Sequence, residues 1–239
     1  MKKRATELVA ISDDLSKKVG ALAFQRPVHY VYNPLQYARE PLVQYIQKYA
    51  VVKTVLWVGM NPGPFGMAQT GVPFGDISMV RDFLQIQGRL RDLPLQHPKR
   101  PIEGFDCARS EVSGTRLWGF AREKFKTPES FFSNFFVVNY CPLVFMGETG
   151  KNITPDKLPA VEKEALFDAC DEALRRTAIA MKSPMVIGVG AFARGVCERS
   201  LDGLNIPVGQ LLHPSPASPA ANRGWAAAAE KQLKQMKLL

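Results

Sequence analysis

Four short apolar runs, each bounded by Gly, Pro or Asn, set the tightest limit on how this chain folds. They are Lys53–Met60 (KTVLWVGM), Phe135–Tyr140 (FFVVNY), Met185–Gly190 (MVIGVG) and Pro207–His213 (PVGQLLH). Continuous rather than alternating apolar character reads as strands buried on both faces. Between the second and third runs, Thr154 as N-cap and Pro155 at the first turn predict a helix. It carries Leu166, Ala169, Cys170, Ala173, Leu174 and Thr177 at helical spacing. Further helices are expected over Ala191–Leu201 and Ser218–Leu238, and helical segments around Ile77–Leu90 and Ser113–Phe125. Strands alternating with helices specify an α/β fold, a three-layer sandwich whose central four-stranded, mostly parallel sheet is flanked by helices. At 239 residues and 46% hydrophobic content the chain can bury a core without disulfides or metal. No repeat, low-complexity tract or linker divides it, so residues 1–239 read as a single domain.

Charge and cysteine usage narrow the class. A net charge of +9 gives a positive field that favours polyanions, nucleic acid before membrane because no basic amphipathic anchor occurs. Part of it lies at the ends, in Lys2, Lys3, Arg4, Lys231, Lys234 and Lys237. Cys107, Cys141, Cys170 and Cys197 contain no C-x-x-C pair, which argues against zinc, an iron–sulfur cluster or a disulfide framework. Met1-Lys2-Lys3-Arg4 mimics the head of a signal peptide, but Glu7, Asp13 and Asp14 interrupt the apolar run such a segment needs. The expectation is a soluble protein, cytoplasmic and chromosome-associated in a prokaryote or nuclear in a eukaryote.

Open parallel sheets bind ligands outside the carboxyl ends of their strands. Asn61, Asn139 and His213 fall at that edge. After the first run, Gly59 to Gly75 (GMNPGPFGMAQTGVPFG) is dense in Gly and Pro, a stiff segment whose amides can approach a ligand. The long irregular stretch 61–126 to which it belongs is of the kind that carries function. His213 is followed by Pro214-Ser215-Pro216-Ala217-Ser218-Pro219, which feeds a helix N-terminus that could receive a phosphate.

Two other readings compete. Gly188-Val189-Gly190-Ala191-Phe192-Ala193 fits the dinucleotide pattern G-x-G-x-x-A, which would suit a nucleotide-binding enzyme. It opens the third strand's helix rather than the first, and the following strand ends in His213 where a ribose-binding acid is expected. A DNA-binding module without catalysis would also use the basic charge, and differs only in turnover.

The segments Gly59–Gly75, Arg109–Phe120 (RSEVSGTRLWGF), Val138–Leu143 (VNYCPL) and Leu211–Trp225 (LLHPSPASPAANRGW) closely resemble the single-strand-selective monofunctional uracil-DNA glycosylase family. That resemblance implies a DNA-repair enzyme that flips uracil from DNA and hydrolyses its bond to the sugar, needing neither metal nor cofactor and able to act as a monomer. It assigns stabilisation of the departing uracil anion to His213 and orientation of the attacking water to Asn61. Met60, Gly63, Met67, Phe74 and Asn139 would bind the base, Phe74 by stacking and Asn139 by reading N3–H and O4 with one amide. Uracil-specific relatives place a bulky aromatic at Gly63, so its absence implies room for a 5-substituent, as in 5-hydroxymethyluracil. Lys151, Asn152, Ser215, Ala217 and Arg223 would meet DNA. Ala217 stands where the family often has a wedging Arg, which puts action on duplex DNA in question. No Lys occurs at the strand-edge positions, so hydrolysis without strand cleavage is expected.

Overall fold

The computed structural model describes residues 2–239, with side chains from residue 4 onward, so the side chains of Lys2 and Lys3 lie outside the described set. Among the described residues seven strands form: β1 (Tyr30–Tyr32), β2 (Val55–Gly59), β3 (Phe135–Asn139), β4 (Val144–Met146), β5 (Asn152–Ile153), β6 (Val186–Val189) and β7 (Val208–Leu211). The central sheet has the order β3-β2-β6-β7, with every pair parallel, and its strands are the four apolar runs. Each is shorter than its run because local geometry ends it. Lys53, for instance, has φ 61° and cannot begin a strand.

Helices cover both faces. Lys2–Gly20 packs on Ala160–Met181 and Arg39–Tyr49, and Ala191–Ser200 joins that layer through Ala160–Met181. Val112–Phe125 packs on Pro128–Phe132 and Trp225–Gln235 in the other. Alternation along the parallel strands feeds both layers: Phe136 stacks on Tyr45 at 5.0 Å, whereas Trp57 and Phe135 meet Phe131 at 5.6 and 5.4 Å. All four cysteines are buried free thiols.

Several boundaries differ from expectation, each for a stated reason. Thr154 and Pro155 open only a short turn, Pro155–Lys157, and the long helix begins at Ala160. Pro159 forces Leu158 into an extended conformation, which delays the helix. The segment 218–238 is two helices, Pro219–Asn222 and Trp225–Gln235, because Gly224 has φ 128° and breaks the chain direction. Within Ile77–Leu90 the helical part is residues 77–83, which continues as a wide turn over Met79–Phe83 and stops before Gln85 at φ 51°. A second, antiparallel sheet, β1-β4-β5, adds to the expected one: β4 and β5 lie in the crossover between β3 and β6, and β1 joins them from the segment before β2.

Candidate functional site

Chain order places the switch in winding direction at β2. The chain leaves it to form β3 on one side and returns to form β6 on the other. The crevice at the carboxyl ends of those strands is where an open sheet can admit a ligand. A cavity of about 360 Å³ lies there. Met60, Asn61, Gly63, Met67, Phe74 and Asn139 line it, facing His213 and Ser215 from the other side. Asn152, read with Lys151 as a DNA contact, also turns into this cavity, and its Oδ1 is buried with no hydrogen-bond partner. Lys151, Ala217 and Arg223 are exposed and outside the lining.

Strand register delivers the two asparagines. Gly59 pairs with Asn139, and the ladder runs on as Tyr140 N–H donates to the Gly59 carbonyl and Cys141 N–H to that of Met60, each at 2.9 Å. Asn61 donates from Nδ2 to the carbonyls of Leu143 and Pro62, both at 3.4 Å. Those carbonyls can only accept, so they hold the nitrogen away and leave Oδ1 as an acceptor. Asn139 donates from Nδ2 to the Met67 sulfur at 3.2 Å. A thioether also only accepts, so Met67 fixes which end of the Asn139 amide is nitrogen, a lock no local motif announces.

The fourth strand positions His213 through its neighbours. Leu212 is held on both backbone groups, its N–H by Gln232 Oε1 at 2.9 Å and its carbonyl by Trp225 Nε1 at 2.6 Å. Gly190, at φ 95°, packs beneath the ring; a Cβ there would sit 3.1 Å from His213 Cβ. The glycines of the G-x-G-x-x-A run thus serve packing, since a Cβ on Gly188 would strike the Arg194 backbone. His213 Nδ1 accepts from Ser215 N–H at 3.0 Å. The tautomer follows: Nδ1 is unprotonated and Nε2 carries the hydrogen. Burial pulls the imidazole below its ordinary value of 6.5, so the ring is neutral at neutral pH.

Three functional neighbours escaped sequence reasoning because each acts through tertiary contacts. Arg116 donates to the carbonyls of Pro214 and Ser215 at 3.0 and 3.3 Å and to Asn222 Oδ1 at 2.9 Å, pinning the loop after His213. Buried Asp76 accepts from Ser78, Met79, Ser110 and Glu111. Burial pushes its carboxyl up, but those donors outweigh it and hold the pKa below the usual value. Glu111 itself lines the cavity. Close by, Arg109 and Arg100 lie over the Phe65 ring at 4.5 and 5.4 Å, an aromatic–cation feature beside the Pro62–Gly66 turn. Among the described residues no group of His, Cys, Asp or Glu is arranged to hold a metal ion.

Fold and site together define a parallel-sheet α/β protein with a largely apolar pocket, edged by asparagine amides and a histidine, at the carboxyl edge of its strands. Residues 47–235 match the model of the uracil DNA glycosylase superfamily, and the chain belongs to that family. It is 48% identical over 228 residues to the single-strand selective monofunctional uracil-DNA glycosylase of Rattus norvegicus, covering 94% of this chain and 82% of the relative. The Bos taurus counterpart is 48% identical over 228 residues, with 94% and 84% covered. The crystal structure of wild-type Pedobacter heparinus SMUG2 superposes with a TM-score of 0.66 at 17% identity, covering 95% of this chain and 97% of that one.

Proposed function

We propose that this chain is a monofunctional uracil-DNA glycosylase of base excision repair: it takes an extruded uracil into the cavity and hydrolyses the N-glycosidic bond, leaving an abasic site in an intact strand. The observation that carries the reading is the meeting of Asn61, Asn139 and His213 on one cavity with their hydrogen-bonding ends fixed. Bond cleavage develops positive charge on the sugar and negative charge on the leaving base. His213, neutral with Nε2–H free of the Ser215 contact, donates to O2 as that charge grows. A donor held in place before the reaction needs no reorganisation, which is the source of its catalytic strength. Asn61 Oδ1 accepts from a water and aims it at the sugar carbon. An amide is too weak a base to take a proton early, but a cation-like centre demands little from its nucleophile, so positioning suffices.

Asn139 reads the base. Its Oδ1 accepts from N3–H while the second Nδ2 hydrogen donates to O4, and the Met67 contact opposes the flip that would suit cytosine. Phe74, tilted 44° to His213 at 6.3 Å, stacks on the ring. No lysine lines the cavity among the described residues, which supports hydrolysis over Schiff-base chemistry. The substrates are uracil and 5-substituted uracils such as 5-hydroxymethyluracil, in single- or double-stranded DNA. Lys151, Ser215, Ala217 and Arg223 lie along the strand's path. The test is base release from single-stranded and duplex uracil oligonucleotides without added metal. Wild type should yield abasic sites, and His213→Ala and Asn61→Ala should each be slower, the former by roughly 10²- to 10³-fold. Binding without release by the wild type would instead favour a non-catalytic module.

A further inference from the structure

Four lysines stand at the edge of the central sheet opposite the cavity. Lys53, Lys126, Lys182 and Lys237 are exposed with φ between 50° and 68°, and they are four of the seven non-glycine residues at positive φ among the described residues. Each adjoins the start of a different strand. Lys53 precedes β2, and its N–H donates at 2.9 Å to the carbonyl of Met181, the neighbour of Lys182, which precedes β6. Lys126 follows Phe125, whose ring lies 5.7 Å from that of Phe135, the first residue of β3. Lys237 follows Met236, whose sulfur would lie 2.6 Å from a Cβ on Gly209 in β7. In the sheet order β3-β2-β6-β7 the row therefore runs Lys126, Lys53, Lys182, Lys237, one lysine to a strand. The ion pairs among the described residues are all made by other side chains, so these four ammonium groups are unpaired.

Charge and backbone pull against each other at these positions. A left-handed backbone favours Gly or Asn, so a lysine there is held against its conformational preference. A cation does offset the dipole at a helix C-terminus, which suits Lys126 and Lys182 as caps of Val112–Phe125 and Ala160–Met181, but Lys53 caps no helix. What all four share is a free charge on one edge. Neighbouring strands lie about 4.8 Å apart, so the row spans about 14 Å. Phosphates succeed one another every 3.4 Å or so along each strand of a duplex, and the row therefore matches about four of them. The cavity lies at the carboxyl ends of the same strands, facing the other way. Duplex DNA is stiff over about 150 base pairs, so a segment engaged at the cavity does not bend back to the lysines. We propose that Lys53, Lys126, Lys182 and Lys237 form a second DNA surface, which binds the phosphates of a separate segment while the cavity side engages the strand being searched. Its part in that search rests on the reading of the cavity as a uracil site. A protein that holds two segments at once passes from one to the other without first being released.

The test removes the charges while suiting the backbone. The variant combines Lys53→Asn, Lys126→Asn, Lys182→Asn and Lys237→Asn; asparagine accepts the left-handed conformation, and circular dichroism melts establish that the protein is folded. The enzyme is loaded on a short fluorescent duplex, and its release is followed by stopped flow as unlabelled duplex is added in increasing amounts. Wild-type release should accelerate with competitor, because the incoming segment binds before the first departs, whereas release by the variant should not respond. The competitor concentration for half-maximal acceleration should climb with salt at a logarithmic slope of about 3.6, or about 0.9 for each of four phosphates. A control with Arg4→Gln, Lys17→Gln, Lys163→Gln and Lys231→Gln loses the same charge from helix faces and should still accelerate. For both proteins kcat for uracil release from a short single strand, which occupies only the cavity side, should equal that of wild type. Wild type that ignores competitor, an asparagine variant that responds like wild type, or a control that stops responding would each overturn the inference. Acceleration by polyglutamate but not by DNA would assign the row to an acidic protein and overturn it as well. Wild type that responds to competitor yet frees no uracil would leave the second surface standing and strike the glycosylase reading instead.

Discussion

Gly59→Ala tests whether the pocket depends on its floor. Gly59 ends β2, where it pairs with Asn139, and an alanine Cβ there would lie 2.5 Å from Phe74 Cε2, 2.8 Å from Cζ and closer still to Asn139 Oδ1. Ordinary contact begins at 3.4 Å, so the Phe74 edge must retreat by about 0.9 Å and the Asn139 amide by at least as much. Both groups are assigned to the base, one below its face and one on its edge. Displacement of about 1 Å at a reacting site can cost on the order of 10²-fold in rate, and overpacking a buried site costs roughly 1–3 kcal/mol of stability. The assay is kcat/KM for uracil release beside a urea denaturation curve. The expected result is a loss on the order of 10²-fold in a protein that still folds. Gly119→Ala is the matched control. Gly119 lies within the helix Val112–Phe125 with nothing within 4 Å of its Cβ position, so alanine should stabilise by about 0.5–1 kcal/mol and leave turnover intact. Gly59→Ala with wild-type kcat/KM would refute the placement of the base between Phe74 and Asn139.

The His213 ring should titrate below 6.5 and exist as the Nε2–H tautomer at neutral pH, both readable by NMR of labelled imidazole nitrogens; an Nδ1–H tautomer would contradict the Ser215 contact. Since the folded ring holds its proton less tightly than the unfolded one, this group's contribution to stability is full above about pH 6.5 and is lost as the pH falls through the lowered folded value. Arg116→Ala removes the donors to Pro214, Ser215 and Asn222 and should destabilise by about 1–2 kcal/mol while slowing uracil release, because the loop that sets the His213 tautomer is freed. Unchanged stability and rate would show that the loop holds itself. With the active-site substitutions His213→Ala and Asn61→Ala, these variants separate the groups that touch the base from those that hold them.

What could be read from the sequence was whatever repeats at short range. The four apolar runs announced the parallel strands because burial on both faces leaves no room for polar alternation. Asn61, Asn139 and His213 could be placed at one edge because side chains that follow parallel strands share the carboxyl end. The same periodicity was present and unused near the start. Leu8, Ile11, Leu15 and Val19 line the buried face of Lys2–Gly20, and Leu42, Tyr45, Ile46 and Tyr49 that of Arg39–Tyr49. The Gly224 break and the late start at Ala160 were also local, written in a glycine and a proline.

Tertiary structure alone decided the orientation of each polar end. Met67 lies far along the chain from Asn139, and only their meeting gives the amide a direction. Ser215 sets the His213 tautomer only because Arg116, from a distant helix, shapes the intervening turn. Glu111 reaches Gly63 by a fold in the irregular stretch that carries no periodic signal, so the apparent gap at Gly63 could not be recognised as occupied until the backbone was placed. Hydrophobic pattern is additive along a chain and can be read residue by residue. A hydrogen bond needs two specific atoms at one distance and angle, and that is a property of the assembled molecule.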